Sequence, residues 1–225
     1  MNVLVFASRK GGSGKSTLTA HLGAHIAKQS RPTLVVDADP QGSISLWHSL
    51  REAEQPVLKR ATRGLEDAVK QAKRSGFEWV LVDTPPVKSA VVADAVRLAT
   101  FVVIPTRPSM FDLDAVRETI ALCRQLRRPY AVVINGAPAK RNDAEAGVVA
   151  DARRQLAEMD APVWSGQLTS RADYALSLAA GEGAREFDRE SFATAEVAKL
   201  WGALDRSVRA INAAHQKART QRVAA

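Results

Sequence analysis

Apolar residues along this chain fall in short unbroken runs, separated by longer segments in which they recur every three or four positions. Runs at 3–7 (VLVFA), 33–37 (TLVVD), 78–83 (EWVLVD), 101–105 (FVVIP) and 130–135 (YAVVIN) have the length and the Val, Ile and aromatic content of strands buried on both faces. One more strand is expected at 162–166. Helical spacing marks 15–29, a segment opening at Gly64, 89–99, and 112–127, where Leu113, Val116, Ile120 and Leu122 recur. Further on, Val197, Leu200, Trp201, Leu204, Val208 and Ile211 make a stripe whose simplest use is packing on a sheet. Strands that alternate with helices predict an α/β fold, a doubly wound and mostly parallel sheet with helices on both faces. Residues 51–63 follow neither period and read as a loop. With no linker, internal repeat or low-complexity tract, residues 1–225 are expected to form one domain, and 46% hydrophobic content suffices for a substantial core.

The junction of the first strand and the first helix carries candidate chemistry. Residues 9–17 read RKGGSGKST. Gly11, Gly12 and Gly14 lack side chains, so the backbone can curl until successive N–H groups point at one anion, and the following helix adds its positive end. Ser13 and Thr17 belong to the same cradle; Lys15 can reach the outer phosphates and the Ser16 hydroxyl can hold Mg²⁺. The strict phosphate-loop pattern has glycine five positions before Gly14, where this chain has Arg9. Two later strands end in carboxylates, one at Asp37 and Asp39 and the other at Asp83. Ligands of a parallel sheet gather beyond the carboxyl ends of its strands, so these acids are expected to converge on the phosphates. One can bind Mg²⁺ through water and another can orient an attacking water, which is most of what phosphoryl transfer asks of a protein. Strand-end Asp also caps helices, a reading that stays open for all three and most of all for Asp37.

The string from Lys10 to Ser16 resembles the deviant Walker A motif of the ParA/MinD family of P-loop ATPases. That resemblance extends over the whole chain. It implies ATP and Mg²⁺ as cofactors, and an ATP-dependent homodimer in which Lys10 reaches the nucleotide of the partner subunit. Lys10, Lys15 and Asp39 would be catalytic, Asp83 would be the Walker B aspartate, and Asp37 would join Ser16 and Asp83 in the magnesium environment. Asn135 matches an asparagine that lies against the adenine, although Asn also simply favours turns. Residues 104–108 (IPTRP) resemble a strand-end loop near the dimer interface, and Arg171, in TSRADYA, resembles an arginine that contributes to DNA binding.

Charge bears on the partner. A net charge of +8 and a sequence pI near 10.0 suit a polyanion. Residues 194–225 carry Lys199, Arg206, Arg209, Lys217, Arg219 and Arg222 against Glu196 and Asp205, a balance of +4. Arg171, Arg206 and Arg209 are therefore the candidate face for non-specific DNA, with a merely solvated helix face as the plain alternative. No apolar run approaches the roughly 18 residues of a membrane span. Past Ile211 the tail offers only Ala213, Ala214, Ala218, Val223, Ala224 and Ala225 as an apolar face, too little for a membrane-surface helix, so no membrane partner is expected. The lone Cys123 reads as a small core residue, and together with the absence of an export signal it fits a reducing, cytoplasmic setting, here associated with the nucleoid.

By resemblance the chain is closest to small ParA-type partition ATPases without an N-terminal helix-turn-helix domain, since the first strand begins at Asn2. ATP would close the dimer, the dimer would bind DNA non-specifically, and a ParB-like or cargo-adaptor protein would stimulate hydrolysis and release it, driving partition of plasmid or chromosomal DNA. Other readings are a related ATPase that positions a protein cargo, such as a carboxysome or chemoreceptor cluster, over the nucleoid; a MinD-like membrane ATPase; and a P-loop metabolic enzyme, whose iron–sulfur form is disfavoured without a Cys pair.

Overall fold

The computed structural model describes residues 1–27, 31–142 and 144–223. Six strands, β1 (Asn2–Phe6), β2 (Thr33–Asp37), β3 (Val57–Arg60), β4 (Trp79–Asp83), β5 (Phe101–Thr106) and β6 (Tyr130–Ile134), form one parallel sheet in the order β3-β2-β4-β1-β5-β6. Register brings the carboxylate-bearing ends level, with Phe6 and Asp37 both opposite Asp83. Successive strand side chains point to opposite faces. In β1, Val3 and Val5 enter one core while Leu4 and Phe6 enter the other. The first core is roofed by α3 (Leu65–Arg74), α4 (Ala90–Leu98), α5 (Met110–Gln125) and α6 (Gly147–Glu158). The second is covered by α1 (Lys15–Ile26), α2 (Ser43–Ser49), the short α8 (Ala184–Phe187) and the long α9 (Phe192–Val223), with α7 (Ala172–Ala179) packed against α8 and α1. Leu200, Leu204 and Val208 of α9 are buried on that face, as the stripe predicts.

Three segments depart from the sequence reading. Residues 57–60 are an edge strand rather than a loop; pairing to β2 on one side supplies what the short run VLKR does not signal. Helix α2 also goes unsignalled, being only seven residues long. At 162–166 no regular strand forms. The chain makes a single parallel bridge there, Val132 to Val163, pairing with β6 resumes only at the Leu168 N–H, and the carbonyls of Trp164, Ser165 and Gly166 accept from the Arg153 guanidinium at 2.9, 3.1 and 2.8 Å. Helix boundaries shift less. The start of α5 moves to Met110 because Ser109 caps it, its hydroxyl accepting from the Asp112 N–H at 3.3 Å. Residues 28 and 29, expected at the end of the first helix, lie outside the described residues, as do the side chains of Arg219 and Arg222 and all of Ala224 and Ala225.

Candidate nucleotide site

The loop between β1 and α1 has the curl that its glycines allow. Gly12 and Gly14 hold φ of 71° and 105°, a region costly to side chains with a Cβ. At Gly14 a Cβ would also sit 2.0 Å from the Asn135 amide nitrogen, so any other residue would push Asn135 away from the loop. The loop is tied at several points. Asn135, one residue beyond β6, donates from Nδ2 to the Ser13 carbonyl at 2.9 Å, and the Lys10 N–H donates to Ser8 Oγ at 3.4 Å. Arg9, standing where the strict pattern has glycine, forms an ion pair with Glu118 of α5. Lys15 is buried, and its Nζ donates to the Lys10 carbonyl at 3.2 Å. Burial draws its pKa below the ordinary lysine value, against the opposing pull of Asp83 and Asp39. Lys10 itself is exposed at the mouth.

The three strand-end acids do gather here, in distinct roles. Asp83, fully buried, accepts from Ser16 Oγ through Oδ2 at 2.7 Å, while Oδ1 is buried without a partner. Burial pushes its carboxyl up to about 7, with Ser16 and Lys15 pulling the other way and Asp37 and Asp39 adding to the rise. An unpartnered buried carboxylate oxygen next to a hydroxyl is a donor set for a hard cation, and Mg²⁺ fits it. Among the described residues no group of three or more His, Cys, Asp or Glu could cage a metal. Asp37 is engaged locally: Oδ1 accepts from the Asp39 N–H at 3.2 Å, and Oδ2 from the Ser45 N–H and hydroxyl at 2.9 and 2.5 Å. It thereby caps α2, the capping role left open for it by the sequence, on a helix that the sequence reading did not locate. Asp39, 8% exposed, accepts from the Gln41 N–H at 3.0 Å and faces the cradle closely enough to act on Lys15.

The three candidate DNA residues differ in their surroundings. Arg171, at the start of α7, donates to Glu196 Oε1 from Nε and Nη2 at 3.1 and 2.9 Å and stacks over the Phe192 ring. The other oxygen of Glu196 accepts from the Thr169 N–H at 2.9 Å and the Tyr174 hydroxyl at 3.0 Å. Arg171 therefore joins α7 to α9, a role that nothing local in TSRADYA signals. Arg206 lies ten residues farther along α9 than Glu196, about 15 Å at the helical rise. Trp201 packs on Trp79 at the start of β4, and Asn212 bonds Asn2 at the start of β1, so this part of α9 lies at the end of the sheet remote from the glycine loop. There Arg206 is exposed, and Arg209 pairs with Asp205 at 2.8 Å.

A strand, a glycine loop and a helix that bury a lysine beside a serine–aspartate pair define a phosphate-binding α/β protein. Residues 4–182 match the CobQ/CobB/MinD/ParA nucleotide binding domain, and the chain belongs to that family. Among similar curated proteins are the Protein ParA of Rhizobium radiobacter, 32% identical over 54% of this chain and 56% of the relative, and the Maintenance of carboxysome distribution protein A of Gloeobacter kilaueensis, 36% identical over 52% and 55%. The match thus spans little more than half of either relative. In structure the chain resembles the septum site-determining protein MinD of Pyrococcus horikoshii, solved with Mg-ADP, at a TM-score of 0.74 and 16% identity over 93% of this chain and 98% of that one. That likeness is one of fold, and it bears out the doubly wound, P-loop architecture.

Proposed function

We propose that this chain is a Mg²⁺-dependent ATPase of the ParA type that dimerises on ATP and binds DNA without sequence preference. The observation that carries the reading is the corner formed by Lys15, Ser16 and Asp83, with one Asp83 oxygen buried and unpaired. Loop N–H groups and Lys15 hold the phosphates, Ser16 and Asp83 hold Mg²⁺, and Asp39 orients the attacking water. Bound Mg²⁺ supplies neutralisation of phosphate charge. Lys10, exposed at the mouth, crosses to the nucleotide of a second copy. Asn135, having spent its amide nitrogen on Ser13, keeps Oδ1 for an adenine amino group. Arg206 and Arg209 supply phosphate contacts on DNA, and Arg171 supports that surface by fixing α9. Closing the dimer doubles these contacts and adds avidity. A cargo-bound partner that stimulates hydrolysis would then release the DNA, in partition of plasmid or chromosomal DNA in the cytoplasm. Transport of a protein cargo is the second reading, favoured by the 36% identity to a carboxysome-distribution protein. Among the described residues no helix is long and apolar enough to cross a membrane.

The test uses Asp39→Ala with ATP and Mg²⁺. It is expected to keep its nucleotide and elute as a dimer from gel filtration, and to bind unrelated duplexes alike with affinity that falls steeply as salt rises. Adding Arg206→Glu and Arg209→Glu is expected to remove DNA binding while sparing the dimer. A nucleotide-bound monomer would refute the Asp39 assignment, and DNA binding that survives both reversals would refute the surface.

A further inference from the structure

Arg107 follows β5 directly and is exposed. Its side chain runs toward the glycine loop. Cγ and Nε lie 3.8 and 3.9 Å from where a Cβ on Gly136 would be, and Nη2 ends 3.8 Å from the same point on Gly12. The side chain therefore passes along the turn after β6 and delivers its guanidinium to the outer edge of the phosphate loop. Both positions it passes are glycines at positive φ, 61° at Gly136 and 71° at Gly12, so neither carries a side chain that would stand between the guanidinium and the loop. Among the described residues no carboxylate pairs with Arg107 and no acceptor takes its N–H groups. By contrast Arg9, Arg51, Arg153 and Arg171 all have carboxylate partners. A planar guanidinium with five donors, held beside a loop built to bind phosphate and lacking any acid of its own, matches phosphate oxygens, which it can engage through two parallel hydrogen bonds.

We propose that Arg107 is a further cation for the nucleotide, beside the two loop lysines, contacting a phosphate at the loop's outer edge while Lys15 serves the inside of the cradle. The paired carboxyl ends of β5 and β6 set its position: the Asn135 N–H donates to the Thr106 carbonyl at 2.8 Å, so the residue that braces the loop and the strand end that launches Arg107 are bonded to each other. The phosphate belongs either to the nucleotide of the same copy or to that of a second copy facing the loop, and the two sources separate in experiment. This inference rests on the nucleotide-binding reading above.

Arg107→Ala and Arg107→Lys are compared with wild type for melting temperature without nucleotide, affinity for fluorescent ADP and ATP analogues, and dimer formation with a non-hydrolysable ATP analogue. Unchanged melting is expected, because the side chain has no intramolecular partner to lose. A phosphate of the same copy predicts about tenfold weaker binding of both nucleotides by Arg107→Ala. A phosphate of the second copy predicts unchanged ADP affinity and about tenfold weaker dimerisation. Arg107→Lys recovers part of either loss, since it keeps the charge and gives up the fork. Wild-type nucleotide affinity together with wild-type dimerisation in Arg107→Ala overturns the assignment. Failure of wild type itself to bind ATP analogues overturns the nucleotide reading instead.

Discussion

The glycine-loop corner and the α7–α9 corner treat their charged side chains in opposite ways. At the loop, Lys15 and Asp83 are buried close together and one Asp83 oxygen is left without a partner. At the other corner, Glu196 accepts from a backbone N–H, a tyrosine and an arginine, so Arg171 is consumed within the fold. An unsatisfied buried carboxylate costs stability and persists where a ligand is to complete it. A saturated one stabilises the fold and has little left to offer a ligand. The same residue types thus separate into chemistry and scaffold by what remains unpaired.

The largest effect that would break this contrast is at Gly14. Gly14→Ala places a Cβ at φ 105° and 2.0 Å from the Asn135 amide nitrogen, so the loop is strained and Asn135 must give up its bond to Ser13. Nucleotide affinity is expected to fall by about two orders of magnitude or more, since N–H groups that no longer converge lose several charge-assisted bonds at once. A titration with a labelled nucleotide that finds wild-type affinity would mean that the loop's observed shape is not the binding shape.

Next comes the saturated corner. Glu196→Ala strands the Arg171 guanidinium and frees the Thr169 N–H and the Tyr174 hydroxyl, and is expected to cost about 3 kcal/mol in chemical denaturation. Nucleotide affinity should hold, because the group touches nothing at the loop. A variant as stable as wild type would return Arg171 to the list of surface contacts.

A smaller effect sharpens the link between the corners. His21 of α1 is buried, accepts from the Ala184 N–H at Nδ1 (3.1 Å), and meets the Tyr174 ring edge-on at 5.0 Å. Burial lowers its pKa to about 4, with the Tyr174 backbone and Glu186 of α8 opposing that fall. The unfolded chain, with an ordinary histidine near 6.5, binds the proton first as pH drops, so stability is full above about 6.5 and is lost toward 4. About 2 kcal/mol should disappear between pH 6.5 and 4.5, and His21→Gln should flatten that slope. A slope unchanged in the variant would place the acid sensitivity elsewhere.

Much of the fold was legible because its causes are local. Five runs of apolar residues became strands within a residue or two, and the string from Lys10 to Ser16 announced both the loop and the helix after it, since glycine's freedom at positive φ and the spacing of Lys15 and Ser16 are properties of neighbouring residues. The same locality explains the misses. Strand β3 exists because β2 offers it an edge, the carbonyls of residues 164–166 go to Arg153 where a strand was expected, and the seven-residue α2, which Asp37 caps, is signalled by no period.

The sequence by itself determined the layered α/β architecture, the phosphate loop and the acids at the strand ends, all of which depend on side-chain period and short spacing. Only the tertiary structure decided what each charge would meet. Asp83 acquires Ser16 from 67 positions away and Arg171 acquires Glu196 from 25, while Arg107, with no acid among the described residues brought to it, ends beside Gly12. Coulomb and hydrogen-bond partners are set by distances in space, and those exist only once the two cores have closed on the sheet.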